Sequence, residues 1–278
     1  MSTAPPTAWV VGTFDTKAAE LNYLAGLLRA AGVAVVTVDI GTRSAPGAAD
    51  IDATTVAGHH PQGASAVFGP SDRGVAVIAM GDALAALVRE RLAAGEVQAM
   101  LGVGGSGGSS MIAPAMRQLP IGVPKLLVST MAAGDVSAYV GVTDMALMYP
   151  VTDIAGLNRL SRTILANAAH ALAGMLLHRA PVEDNGADKP AIGLTMFGVT
   201  TPCVQAVRDL LGDHFDAQVF HANGAGGRTL EALAAAGMLS AVVDITTTEV
   251  GQHLSGGVCD AGPNRLDAAA RHGLPWIG

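Results

Sequence analysis

The sequence predicts an α/β protein built as two lobes, each a mainly parallel sheet carrying helices. Three observations support this. First, an apolar run (VQAML), a glycine- and serine-rich loop, a helix-compatible stretch and a second apolar run (PKLLVST) follow one another between 97 and 130. That is the order of a parallel βαβ unit with a ligand at its strand ends. Second, half of the 278 residues are hydrophobic but only 4% are aromatic, so the apolar content is mostly Ala, Val, Leu and Ile. Such residues suit helices laid on buried parallel strands. Third, the same alternation starts afresh after a polar, proline-flanked stretch at 181–190, which reads as a linker between a lobe at 1–180 and one at 191–278.

In the first lobe, TAWVVGTFDTK is a strand and its exit. Trp9 to Val11 are buried-strand types, and Asp15 or Thr16 is placed to cap a helix beginning near Lys17. That helix carries Leu21, Leu24, Leu27 and Leu28 on one stripe and stops at Gly32. VAVVTVDIG is the second strand, ending at Asp39. Residues 41–72 read as an irregular, glycine-rich excursion that includes His59 and His60, the kind of segment that forms a lid or binding loop. Gly74 to Gly95 reads as one helix with Val75, Ile78, Leu84, Leu87 and Leu92 inward. After the central strands, a helix is expected from Asp153 to His178, with Ile154, Leu157, Leu160, Ile164 and Leu165 on its buried side.

The second lobe reads as strand AIGLTMFG, a helix with Thr200 or Thr201 at its cap and Pro202 in its first turn, and strand DAQVFHA. The glycine turn Asn223–Arg228, a helix, strand SAVVDITTTE, a second glycine turn, a short helix and the apolar run LPWIG follow. Its strand ends collect polar groups: Thr200, Thr201, His221, Gly226, Gly227, Arg228, Thr247, Glu249 and Arg265 form a candidate second-ligand site for an acidic or sugar-like molecule.

Composition narrows the function. A net charge of −7 and the lack of a Lys/Arg run argue against a nucleic-acid surface. No apolar run is long enough for a membrane span, and the N-terminus lacks a signal-peptide layout. Two cysteines make no disulfide framework, and no Cys/His spacing fits zinc. A cytoplasmic protein, with homodimerisation as the default, is expected. Thirteen arginines accompany only three lysines, and two of these, Lys17 and Lys125, flank small-residue loops.

The loop from Gly102 to Ser110 fits several patterns at once. Gly102 to Gly107 satisfies GxGxxG, but the following strand ends in Ser129-Thr130, where a dinucleotide site would place a carboxylate. Gly104 to Gly108 satisfies GxSxG, which suggests a serine hydrolase using Ser106 with Asp135 or Asp144 and His170. His170 nevertheless lies mid-helix, a poor place for a general base. The Walker pattern fails for want of a lysine before Ser109. All these patterns share a flexible backbone, several hydroxyls and a helix start, which together attract a phosphate.

GTFDTK, GVGGSGGSS, PIGVPKLLVSTMAAGD, FHANGAGGR, DITTTE and GGVCDAGPNRL resemble, in order and over nearly the whole chain, the Tm-one-like ATP-binding domain family. This comprises bacterial proteins related to the plant inhibitor of tomato mosaic virus RNA replication. The resemblance implies two Rossmann-like lobes, with ATP in the first. Nucleotide contact would fall on Gly12, Thr13, Asp15, Thr16, Lys17, Gly104, Gly105, Ser106, Gly107, Gly108, Ser109, Ser129, Thr130 and Asp135. Magnesium accompanying the nucleotide would be placed by Asp15 or Asp135, and Lys17 or Lys125 would neutralise phosphate. Members usually continue beyond the point corresponding to Gly278, so the second lobe is expected to be cut short, leaving a sheet edge open to pairing.

Three functions follow as expectations. One is ATP-dependent phosphoryl or ligase-type transfer onto a small metabolite. Another is a non-enzymatic, nucleotide-stabilised interaction module. The third is hydrolysis through Ser106.

Overall fold

The computed structural model describes residues 4–43, 47–179 and 189–278. Two compact units divide the chain at Ala180/Pro181. Of the expected linker, only Lys189 and Pro190 lie among the described residues.

Unit 1 runs β1 (Thr7–Gly12), α1 (Phe14–Ala30), β2 (Ala34–Asp39), α2 (Ala53–Gly58), α3 (Ser65–Phe68), α4 (Arg73–Ala93), β3 (Ala99–Gly104), α5 (Ser106–Met116), β4 (Lys125–Ser129), α6 (Ser137–Val140), β5 (Ala146–Met148) and α7 (Arg159–Leu177). Its strands form one parallel sheet in the order β2-β1-β3-β4-β5. Alternation along β1 assigns the faces. Trp9 and Val11 join the core under α4 and α5, whereas Ala8 and Val10 join the core under α1 and α7. Both layers are mainly aliphatic, as the composition predicts.

Several local expectations are corrected. Helix α1 begins at Phe14 rather than near Lys17, and neither Asp15 nor Thr16 caps it. Asp39, buried at the end of β2, accepts from the backbone N–H of Phe14 at 3.0 Å and so caps the helix from the neighbouring strand. The 41–72 excursion is not wholly irregular: it contains α2, capped by Asp52, and α3, and Ile51 bridges Val38. Val75 and Ile78 are exposed rather than inward. Helix α4 buries Leu84 and Leu87 as expected, together with the small residues Ala76, Ala79 and Ala83, and a Cβ on Gly81 would lie 3.2 Å from the Cα of Met111 in α5. The small residues let α4 and α5 approach closely. The last helix starts at Arg159, where Asn158 and Ser161 form a capping box. Leu160 is exposed, and the buried stripe is Leu165, Ala168, Ala169, Leu172 and Leu176.

Unit 2 runs β6 (Ala191–Met196), α8 (Thr201–Leu211), β7 (Asp216–His221), α9 (Ala225–Ala235), β8 (Ala241–Val243), α10 (Thr248–Ser255), α11 (Asp267–Arg271) and β9 (Trp276–Ile277). The sheet is parallel in the order β7-β6-β8-β9. One face is covered by α9 and α11 through Leu230, Leu233 and Ala268, and the other by α8 through Val204. The edge strand β9 leaves Trp276 and Ile277 exposed. Among the described residues, no helix is long and apolar enough to cross a membrane.

Candidate functional site

The strand order of unit 1 determines where a ligand can sit. The chain leaves β1 into α1 on one face of the sheet and leaves β3 into α5 on the other. The two exits diverge and open a crevice beyond the carboxyl ends of β1 and β3, the topological switch point where open α/β sheets bind ligands. A hollow of about 200 Å³ lies there. Thr13, Asp15, Thr16 and Lys17 line one side and Gly105 to Gly108 the other, with Thr42 and Arg73 completing the rim.

Each wall has a local cause. Thr13 is in extended conformation, and its hydroxyl lies 2.8 Å from that of Thr16. At Lys17 the backbone leaves helical geometry (φ −133°, ψ 21°), and its Nζ donates to the carbonyl of Ile154 at 2.9 Å. Three residues on, buried Glu20 accepts from the backbone N–H of Gly156 at 2.6 Å, so the 154–156 loop is tied to α1 at two points. Helix α5 opens with Gly105 as an extended N-cap, and no side chain accepts from its first-turn amides. Those amides are unpaired donors at a positive helix end. Lys17 and Arg73 have no ion-pair partner among the described residues. The chemistry of this donor set therefore fits a phosphate group.

The glycines divide by role. A Cβ on Gly104 would sit 2.8 Å from the backbone of Gly108 and Ser109, so this residue permits close packing of α5 on β3. Gly12 is likewise a packing position, since a Cβ there would press on Leu21. Gly107 has open space on that side, and Gly105 and Gly108 meet nothing closer than 3.6 Å, so these three leave their backbone accessible to a ligand.

Other expected residues lie elsewhere. The buried hydroxyls of Ser109 and Ser129 are 2.6 Å apart, and Ser129 also accepts from Met131 N. They hold α5 to β4 from within. Thr130 stands next to Gly105, with its Oγ1 3.7 Å from where a Cβ would be. Asp135 is exposed and lines a separate hollow with Arg117 and Tyr139. The amide of Ser137 hydrogen-bonds its carboxyl and holds it below the ordinary carboxylate range. Among the described residues Asp15 is thus the one carboxylate lining the crevice, and there is no cluster of three or more metal-ligating side chains.

Lys125 is corrected outright. It begins β4, at the opposite end of the sheet from the crevice, and is buried with Nζ bonded to the carbonyls of Pro120 and Val123 and paired with Asp144. The hydrolase triad does not assemble either. His170 is exposed on α7, on the sheet face opposite α5, Asp144 is held by Lys125, and among the described residues no histidine lines the crevice. His59 and His60 are absent from it too. Arg73 and Thr42 were missed by sequence reading. The available signal was positional, because Thr42 follows a strand end and Arg73 opens a helix.

In unit 2 the equivalent switch point, between β6 and β8, is filled by the chain itself. Thr195 donates to Asp244 at 2.6 Å, and Thr246 bonds both Thr195 and Thr200. Arg265, buried, makes a two-pronged pair with Asp244 at 2.7 and 2.8 Å and also bonds Glu249 and Glu231. Burial opposes its charge, but the hydrogen bonds it donates to Asp244 and Glu249 outweigh that and raise its pKa. Glu249 accepts from the amides of Gly224 and Gly227 at the start of α9, so it occupies the place where an external anion was expected. Gly227 has no room for a Cβ beside Glu249, nor Gly226 beside the His221 carbonyl. Gly226, Gly227, Glu249 and Arg265 are therefore internal. Thr201, His221, Arg228 and Thr247 remain exposed, His221 beside Phe197 and Arg228 bonded to the Asp260 carbonyl.

Two parallel α/β sheets, one with a crevice at its switch point, define a protein of Rossmann-like class. Its family is equally plain. The chain matches the models described as "Uncharacterised protein family (UPF0261)", the N-terminal domain over residues 6–181 and the C-terminal domain over residues 189–278, and it belongs to that family. It is 54% identical to a UPF0261 protein of Mesorhizobium japonicum and 53% to one of Rhizobium meliloti, each over 97% of this chain and 66% of the relative. It is also 37% identical to the ToMV resistance protein Tm-1(GCR237) of Solanum lycopersicum, over 98% of this chain and 39% of the tomato protein. The chain thus spans just under two thirds of the length of its bacterial relatives.

Proposed function

We propose that unit 1 binds the phosphate chain of a nucleotide, ATP in the first instance, in the crevice between β1 and β3. One observation supports this above the others: the uncapped start of α5 meets two cations without ion-pair partners among the described residues, Lys17 and Arg73, at the switch point of a chain whose net charge is −7. Backbone amides of the 105–108 loop would hold phosphate oxygens, and Lys17 and Arg73 would neutralise them. A magnesium ion arriving with the nucleotide would find Asp15 and the hydroxyls of Thr13 and Thr16. Phosphoryl or ligase-type transfer is the reaction class that such a site serves, with a small acidic or sugar-like metabolite as acceptor.

A second reading is favoured by the tomato relative, which is named for virus resistance rather than for a reaction. Here the nucleotide stabilises an interaction surface and stays intact.

Calorimetric titration with ATP, ADP and AMP, with and without magnesium, tests the site. ATP is expected to bind, and Lys17→Ala to weaken it about tenfold or more, the worth of one charged hydrogen bond. If ATP fails to bind the wild-type chain, the proposal is wrong. Incubation of the complex with candidate metabolites then separates turnover from retention of intact ATP.

A further inference from the structure

The phosphate crevice does not end at Arg73. A second hollow of about 170 Å³ shares Thr42 and Arg73 with it and extends away from the glycine loop. Its lining mixes apolar side chains with Ser71 and the shared polar groups. Val67, Phe68, Pro70 and Ala76 supply an apolar wall, and Arg43 stands at the rim. Val67 is buried, whereas Phe68, at the end of α3, is 41% exposed. A large aromatic side chain left that accessible inside a concave wall presents a flat apolar surface to whatever enters. Arg43 has no ion-pair partner among the described residues.

Size supports reading the two hollows as one site. Each is smaller than the ~300 Å³ at which ordinary small-molecule pockets begin, and joined through Thr42 and Arg73 they exceed it. The second hollow sets Val67, Phe68 and Pro70 beside the polar Ser71, Thr42 and Arg43, so a ligand filling both is anionic at one end and carries at the other a ring that offers both an apolar face and polar edges. Aromatic and guanidinium surfaces favour planar, electron-rich rings over aliphatic groups.

We infer that the hollow lined by Val67, Phe68 and Pro70 is the nucleoside pocket of the ligand whose phosphates lie at the glycine loop, with Phe68 stacking on the base and Arg73 bridging the two parts. This rests on the phosphate reading of the neighbouring crevice. It assigns a role to the 65–73 segment, which no sequence motif marks.

The test compares ATP with inorganic tripolyphosphate, which carries the phosphates without the nucleoside, by calorimetry on the whole chain. Wild type is expected to bind ATP more tightly than tripolyphosphate. Phe68→Ala should weaken ATP about tenfold, the low end of what losing one base–aromatic stack costs, and leave tripolyphosphate unchanged. Phe68→Trp, which keeps a ring, should retain ATP binding, and this guards against a loss that merely reports unfolding. The inference is overturned if Phe68→Ala leaves ATP untouched, if both ligands weaken alike, or if Phe68→Trp loses as much as Phe68→Ala. Wild type binding tripolyphosphate as tightly as ATP also overturns it while sparing the phosphate site. Binding of neither ligand removes the phosphate reading itself.

Discussion

Units 1 and 2 repeat one plan, a parallel sheet whose glycine turns lead into helices, yet they treat their switch points in opposite ways. In unit 2 the start of α9 is satisfied by Glu249, and the strand ends are closed by Arg265, Asp244, Thr195 and Thr246. In unit 1 the start of α5 has no side-chain acceptor, and the nearby cations Lys17 and Arg73 lack carboxylate partners among the described residues. The same local geometry can thus be sealed by a carboxylate of the chain or left for a ligand. A glycine turn at a strand end does not tell the two apart, since both units have one. What distinguishes them is whether a remote acidic side chain reaches the amides first.

The largest effect that would break this comparison is expected at Arg265. It faces three carboxylates, Asp244, Glu249 and Glu231, offset in part by the amides of Gly224, Gly227, Leu266 and Ala268. Arg265→Ala leaves those charges buried without their cation, which typically costs about 3–5 kcal/mol. Urea unfolding of the variant should show a loss of that size. A change under about 1 kcal/mol would mean that the network does not hold unit 2 together.

Next in size is a substitution that makes unit 1 resemble unit 2. Gly107→Asp places a carboxylate in the first turn of α5, where a Cβ meets open space. An acidic residue there suits the helix end and should add roughly 0.3–1 kcal/mol of stability. The same charge would compete with phosphate, so ATP affinity should fall about tenfold or more, equivalent to 1.4 kcal/mol or above. Unchanged affinity in calorimetry would show that the α5 amides do not hold the ligand.

The smallest effect concerns the buried cation of unit 1. Asp144 is partly exposed, and although burial pushes its pKa up, the hydrogen bonds from Lys125 and the amide of Gly122 prevail and lower it below 3.8. A carboxyl depressed in the folded state stabilises above its unfolded pKa and loses that contribution as pH falls through the folded value. Stability measured from pH 5 down to pH 2 should therefore decline less steeply in Asp144→Asn than in wild type. Parallel curves would show that the pair contributes nothing acid-sensitive.

Much of the architecture could be read along the chain. Short continuous apolar runs at Trp9–Val11 and in VQAML, glycine exits and leucine-striped helices are local signals, and they predict both sheets. The candidate crevice was half legible. Thr13, Asp15, Thr16, Lys17 and the 105–108 loop were found because they adjoin strand ends. Arg73, Arg43 and Phe68 were not, because they arrive from the long β2–β3 connection, whose folding path has no local signature. Lys125 misled for the converse reason: it neighbours a suggestive loop in sequence but stands at the far end of its strand.

The class of fold, the alternation of elements and the glycine turns follow from local sequence, because these depend on residue type and backbone sterics within a few positions. Which turns are sealed and which are open is settled only when the chain is folded. That outcome depends on carboxylates and cations from distant segments, such as Glu249 reaching Gly224 and Gly227, or Asp39 reaching Phe14. Burial decides it, since a charge taken out of water must find a partner within hydrogen-bonding reach, wherever in the chain that partner lies.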